Sequence, residues 1–521
     1  MKIATAGEMR RIDKTVVEEF GIPELILMEN AGRAAAEVVV SLVGNLNGKA
    51  VCVLAGGGNN GGDAFCAARY IANHGAKVRV FLLGTAAHMG QSAAANRDIC
   101  LKMGIDVFSL AEVRDWDRLE VILRFSDVVL DGILGTGFKG ELRDDARKLI
   151  KTINNAGKPV VSIDLPSGVN SDTGGIGGDA VRADMTVTLG VPKAGHFFCP
   201  GAACTGRLVV DPIGIPASLL NDEALQTEYL DDDLARSMLV PRAMDVHKGD
   251  CGRILIVAGS TGMTGAAAMA AGAALRVGAG IVTVAVPESL NDIMEIKLTE
   301  AMTLPLPEKE PGRGVLDPAA FDTLIGVAGD YDAVLVGPGL GRNPETGEVI
   351  RRFCAEVDRP LILDADALFA YIGHTDELVS LKTVPVITPH LGEMAALCGG
   401  TVAGLRQDII AAVRKAAAEW NTVIVLKSEC TAVACPEGTV WLTSKGNPNM
   451  ATAGAGDVLA GTIAGLTKQL EPGASPLLGV YLHGLAGDLA AKSGGAGIIA
   501  SDICNNLPKA RLCLESGKLS E

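Results

Sequence analysis

Short apolar runs alternate with amphipathic stretches of helical spacing along nearly all of the 521 residues, and that alternation restricts the chain to folds built on parallel sheets. In the first half, segments 49–55, 77–83, 127–131, 159–163, 185–189 and 207–210 read as strands, with helical spacing in 64–73, 91–103 and 144–155. In the second half, 253–258, 281–286, 332–336, 361–364, 384–388 and 422–426 read as strands. Strands this apolar must be buried on both faces, so helices are expected on both sides of each sheet. The chain is too long for one hydrophobic core. A polar, acidic stretch near 215–240 separates the two patterned blocks, giving expected domains 1–220 and 221–521, each a three-layer α/β/α unit.

Composition narrows the partners. The net charge of −15 argues against nucleic acid, whose phosphates are gripped by clustered Lys and Arg. It leaves small phosphate ligands open, because glycine turns and helix N-termini bind anions without net positive charge. Segment 254–275 has no charge and the length to span a bilayer, but Gly259-Ser260-Thr261-Gly262 interrupts it. A strand, a glycine turn and a small-residue helix account for it better than a membrane span. The twelve cysteines include no Cys-x-x-Cys pair, so reduced thiols are expected rather than zinc. No apolar run follows the basic residues of MKIATAGEMRRIDKTVVEEF, and a cytoplasmic location is expected.

Residues 56–63, GGGNNGGD, follow the strand VCVLA and precede a helix. Glycines there let backbone N–H groups approach an anion, and the helix adds its positive end. Asn59, Asn60 and Asp63 supply polar groups to the same turn. Two further strand ends carry acids: Asp131 before GILGTGFKGELR, and Asp164 before LPSGVNSDTG. In a parallel sheet, loops at the C-terminal strand ends converge on one crevice. Asp164 is the candidate for acid–base work; a loop aspartate also commonly forms turns or caps.

Together GGGNNGGD, D-G-x-x-G-T-G and D-x-P-S-G, in this order, resemble the NAD(P)HX epimerase family over roughly residues 1–215. The resemblance implies a Rossmann-like first domain that interconverts the two epimers of hydrated NADH or NADPH. It implies that Asn59, Asn60, Gly61, Gly62 and Asp63, with Gly135, Thr136, Gly137, Phe138, Lys139, Gly140 and Glu141, bind the hydrated cofactor. It further implies that Asn60, Asp131 and Ser167 hold K+, and that Asp164 stands at the nicotinamide end as the catalytic group.

In the second half, NMATAGAGDVLAGTIAG places glycines before Asp457 and a helical pattern after it. Free N–H groups and a carboxylate at one helix N-terminus suit phosphoryl transfer: the N–H groups stabilise the transferring group, and the carboxylate takes the proton of the attacking hydroxyl. A helix cap alone does not require those glycines. Neither a Walker loop nor a protein-kinase set is present.

The GAGD pattern is similar to the ribokinase-like superfamily. HKGDCGR, GSTGMTGAA, VGPGLGR, LDADAL and TPHLGEM point within it to the NAD(P)HX dehydratase branch, over roughly 230–510. The resemblance implies a ribokinase-like second domain in which a nucleotide phosphate goes onto the hydroxyl of the hydrated ring and then leaves. Asp457 would be the base; Ala267, Gly339 and His390 would contact the hydrated cofactor. Lys427, Ser428, Glu429, Cys430 and Thr431, with Gly456, would surround the nucleotide. ADP is the expected donor, with ATP the alternative and Mg2+ the accompanying ion; homo-oligomers are expected. Two departures stand out: Ser428 where the family usually has Gly, and Ala455 where a hydroxyl residue is common.

Several residues admit two readings. Glu393 orients His390 or a metal; Asp364 and Asp366 position magnesium or satisfy loop amides; His196 is a candidate for lining the first site. His74, His88, His374 and His483 read as isolated structural or surface groups. The rival function is a small-molecule kinase fused to a non-catalytic, epimerase-like binding domain.

Overall fold

The first sheet is wound outward and then back. Its strands are β1 (Ala50–Ala55), β2 (Lys77–Leu82), β3 (Asp106–Ser109), β4 (Val128–Gly132), β5 (Val160–Ile163), β6 (Met185–Leu189) and β7 (Arg207–Asp211). They lie in the order β3-β2-β1-β4-β5-β6-β7, with each neighbouring pair parallel. The chain runs from β1 out to β3 and returns to β4 beside β1, so β1 and β4 flank the switch point where a crevice opens. This computed structural model describes residues 1–471 and 473–517, and the chain divides into two compact units, Met1–Thr227 and Glu228–Glu521.

Alternate residues of β1 enter different cores. Val51, Val53 and Ala55 pack with Ala34–Val39 and Ala64–Ile71 residues on one face; Cys52 and Leu54 pack with Leu119, Leu149 and Ile150 on the other. The period-two alternation thus feeds two helical layers.

The second unit repeats the winding. Its strands are β8 (Arg253–Val257), β9 (Ile281–Pro287), β10 (Met302–Leu306), β11 (Ala333–Val336), β12 (Leu361–Leu363), β13 (Val386–Ile387), β14 (Val423–Leu426), β15 (Thr431–Ala434) and β16 (Val440–Thr443). They run in the order β16-β15-β14-β13-β12-β11-β8-β9-β10. Here β8 and β11 flank the switch point, and the Gly259 N–H donates to the Pro338 carbonyl across it at 2.8 Å. The helices Thr264–Arg276 and Ala455–Leu466 cross closely, because Gly461 and Gly465 lie against Ala270 and Ala274. A Cβ on Gly461 would overlap the Ala270 carbonyl.

Both units are therefore α/β with parallel sheets. Of the strands named above, β3, β10, β15 and β16 escaped the sequence pattern. The last two form an antiparallel hairpin rather than extending the parallel order. The uncharged segment does form a strand, a turn and the helix Thr264–Arg276. Among the described residues, no helix is long and apolar enough to cross a membrane.

Two candidate active sites

A cavity of about 970 Å³ opens at the first switch point. Gly56, Gly57 and Gly58 after β1 line it, as do Gly135, Thr136, Gly137, Phe138, Lys139 and Glu141 after β4 and Asp164 after β5. Asn59, Asn60 and Asp63 line it too. The helix begins at Asn59, so the second half of the glycine sequence is its first turn rather than a loop before it.

That placement changes the part played by two residues. Gly61 and Gly62 are buried in the helix, where a Cβ on Gly61 would overlap the Gly56 carbonyl and one on Gly62 would strike Met28. The Gly62 N–H is already given to the Gly58 carbonyl. Both glycines permit close approach of the helix; neither is on the cavity wall. Gly140, at φ 80°, turns the chain outside the wall.

Asp131 is fully buried at the end of β4. Its Oδ1 accepts from Ser167 Oγ (2.6 Å) and the Ile133 N–H (3.2 Å); its Oδ2 accepts from Ser162 Oγ (2.8 Å) and the Ser167 N–H (2.9 Å). Burial still outweighs these bonds and pushes the carboxyl above its ordinary range. Asn60 donates through Nδ2 to the Leu134 carbonyl at 2.9 Å, while its buried Oδ1 has no partner among the described residues. Asn60 Nδ2 and Ser167 Oγ both donate to the Leu134 carbonyl, and Ser167 in turn bonds Asp131, which links the three residues.

Asp164 sits at φ 64°, a left-handed conformation that a non-glycine residue adopts only when its surroundings hold it. Lys193 donates to its Oδ1 at 2.5 Å, and Thr188 Oγ1 to the same oxygen at 3.3 Å. Burial alone would raise this carboxyl, but the charge and hydrogen bond of Lys193 outweigh it and hold the group below the usual range. Asp63, on the same wall, is pushed well above the ordinary range by burial and by the charges of Asp164, Glu24 and Asp13. His196 lies beneath Asp164 rather than on the wall, and burial beside Lys193 lowers it to about 4. Lys193 went unnoticed in the sequence; its signal is a single cation in the otherwise apolar loop that follows β6.

At the second switch point the acids gather differently. Asp457 is the third residue of the helix Ala455–Leu466, preceded by Gly454 at φ 92°. The Ala455 N–H donates to Thr452 and the Val458 N–H to Gly454, leaving those of Gly456 and Asp457 at the open end of the helix. Lys427, at the end of β14, has its ammonium 3.3 Å from where a Cβ on Gly456 would lie. It donates to Asp364 Oδ1 at 2.9 Å, and Thr388 Oγ1 donates to the same oxygen at 2.6 Å. Burial and the charge of Asp364, opposed by Lys427, push Asp457 up to about 7.

The remaining candidates settle into distinct roles. His390 caps the helix Leu391–Leu397, its Nδ1 accepting from the Gly392 and Glu393 N–H groups at 2.9 and 3.2 Å. Glu393 closes this capping box by accepting from the His390 N–H at 2.8 Å, so it orients His390. The imidazole remains largely exposed beside β13. Asp366 accepts from the Gly341 N–H at 2.9 Å and pairs with Arg342, satisfying a loop amide.

Gly339, at φ 64°, lies against the Met263 carbonyl. Ala267, expected to contact the hydrated cofactor, has a wholly buried side chain that lies against Gly259. Cys430 is likewise buried, Glu429 is paired with Arg406, and Ser428 Oγ donates to the Cys430 carbonyl; Thr431 begins β15. Of the isolated histidines, His74 and His374 are exposed, His483 is partly buried with Nε2 unpartnered among the described residues, and the side chain of His88 lies outside them.

Comparison with known proteins places both halves. A family model described as YjeF-related protein N-terminus matches residues 24–195, and one described as NAD(P)H-hydrate dehydratase matches residues 254–509. The bifunctional NAD(P)H-hydrate repair enzyme Nnr of Moorella thermoacetica is 42% identical, over 98% of this chain and 96% of its own length. That of Thermofilum pendens is 38% identical, over 98% and 96%. Among solved structures, the ADP/ATP-dependent NAD(P)H-hydrate dehydratase of Bacillus subtilis, co-crystallised with ATP/Mg2+, is 29% identical over 55% of this chain and 99% of its own, with a TM-score of 0.48. The chain belongs to the family of bifunctional NAD(P)H-hydrate repair enzymes.

Proposed function

We propose that this chain restores hydrated NADH and NADPH in two steps. Its first domain, 1–220, interconverts the R and S epimers, and its second, 221–521, dehydrates the S epimer with ADP, giving AMP and phosphate. The observation that carries this reading is Asp457, a carboxyl titrating near neutrality at the open N-terminus of a helix, beside Lys427. A base of that strength takes the proton of the ring hydroxyl as its oxygen attacks the terminal phosphorus of the nucleotide. The N–H groups of Gly456 and Asp457 and the Lys427 ammonium stabilise the charge on the transferring phosphoryl group. Loss of phosphate from that carbon, with a proton from the neighbouring carbon, then restores the ring double bond.

At the first site the hydrated carbon bears both a hydroxyl and the ring nitrogen. Asp164 takes the hydroxyl proton, the carbon–nitrogen bond opens with its electron pair going to nitrogen, and a carbonyl forms. Asp63, kept neutral by burial, supplies the proton that nitrogen gains. Closure on the opposite face reverses each transfer and inverts the carbon.

The ions fit oxygen donors. K+ would be held at Asn60, Asp131 and Ser167, with the unpartnered Asn60 Oδ1 as the open ligand position and Asp131, its four acceptor positions taken, supplying charge. Mg2+ would accompany the nucleotide beside Asp364 and Asp366, whose carboxylates suit a hard cation that keeps part of its water.

The test is recovery of dihydronicotinamide absorbance from a mixture of both epimers with Mg2+, K+ and either ADP or ATP. Complete recovery is expected, faster with ADP. Recovery that stops when one epimer is consumed would overturn the first-domain assignment. No recovery, with a stable phosphorylated product instead, would make the chain a small-molecule kinase.

A further inference from the structure

We infer that Lys193 and His196 form a clamp that positions the Asp164 carboxylate for proton transfer, which makes both of them positioning residues of the first site. This rests on the epimerase reading above. Three hydrogen bonds close a ring: Lys193 Nζ to Asp164 Oδ1 at 2.5 Å, the Lys193 N–H to His196 Nδ1 at 3.0 Å, and His196 Nε2–H to the Asp164 carbonyl at 2.8 Å. The ring grips Asp164 by side chain and backbone together, which is what a non-glycine residue at φ 64° requires.

The ammonium has no freedom to leave. Its other two protons go to Thr188 Oγ1 at 3.0 Å and the Leu189 carbonyl at 2.8 Å, and Lys193 is 1% exposed. His196 Nδ1 accepts the Lys193 N–H, and among the described residues Nε2 faces the Asp164 carbonyl alone, which assigns the proton of the neutral ring to Nε2.

The clamp also divides the carboxylate. Oδ1 is committed to Lys193 and Thr188, whereas Oδ2 faces the cavity-lining turn, 3.3 Å from the Thr136 N–H and 3.4 Å from where a Cβ on Gly135 would lie. Oδ2 is therefore the proton acceptor. The charged and titratable groups facing Asp164 are Lys193, His196, Asp63 and Asp13. Lys193 is the one basic side chain among them bonded directly to the carboxylate.

The experiment is the pH dependence of epimerisation in the full-length protein and its Lys193→Met, Lys193→Arg and His196→Gln variants. Lys193→Met should move the acid limb of kcat/KM up by more than about one pH unit. It should also lower kcat about 100-fold while KM changes less than about threefold. Lys193→Arg should keep the acid limb near that of the parent. A folded Lys193→Met protein with an unchanged limb would overturn the proposal.

Should Lys193→Met fail to fold, the double variant Asp164→Asn/Lys193→Met removes both charges and should fold. His196→Gln, which keeps the ion pair, should then show a lowered kcat with KM held; parental kcat in His196→Gln would overturn the clamp. A parent protein without epimerisation would instead overturn the reading on which the clamp rests.

Discussion

The two units use the same winding and place an aspartate at the same kind of crevice, yet they drive the two carboxyls in opposite directions. Asp164 is bonded directly to a buried ammonium and is held ionised. Asp457 has its ammonium spent on Asp364, whose negative charge faces it, and titrates near 7. What separates them is which carboxylate the lysine bonds, since each site holds one buried or half-buried lysine among several acids. The arrangement decides whether an aspartate is a permanent anion or a base poised at working pH.

The largest effects should come from removing one carboxyl at a time. Asp457→Asn should lower dehydration at least about 1,000-fold while epimerisation stays within about twofold, and Asp164→Ala should do the reverse. Assay of the separate steps with purified epimers checks both, and equal loss of both activities in either variant would break the contrast.

A second separation follows from pH. Dehydration needs Asp457 ionised, so its rate should fall as pH drops through about 7 and be about 100-fold lower at about pH 5. Epimerisation should persist there because Asp164 remains charged. The stability sign runs the other way for Asp457: its raised carboxyl favours the folded state when protonated and disfavours it as pH rises through 7. Asp457→Asn should therefore raise the melting temperature above neutrality while destroying dehydration, a trade of stability against function.

Smaller effects test the scaffold. Gly61→Ala in the first unit and Gly461→Ala in the second each drive a methyl into a carbonyl, so each should destabilise its own unit by about 1–3 kcal/mol in chemical denaturation. Ala365, held at φ 50° between Asp364 and Asp366, should behave oppositely: Ala365→Gly should stabilise the second unit by about 1 kcal/mol.

The main strands and both crevices were legible because buried parallel strands write near-continuous apolar runs and their turns write glycines. Other strands were not. β3 is short and only half buried, β10 contains Pro305, and β15 and β16 are brief runs joined by a tight turn. Within the sites, Asp164 and Asp457 were legible from their glycine surroundings. The clamp was not, because Lys193 and His196 meet Asp164 from 29 and 32 residues away, through the pairing of β5 with β6 that no local pattern encodes. Ala267, Gly61 and Gly62 show the converse. Each lies in a telling motif, yet each is spent on close packing.

The most direct test of two independent sites is to mix the two disabled proteins. Asp164→Ala and Asp457→Asn, each unable to convert a mixture of both epimers completely, are combined with the mixture, ADP, Mg2+ and K+, and dihydronicotinamide absorbance is followed to its end point. Complete recovery, with the intact first site of one protein feeding the intact second site of the other, is the expected result. Recovery that stops at the S epimer alone would contradict the account.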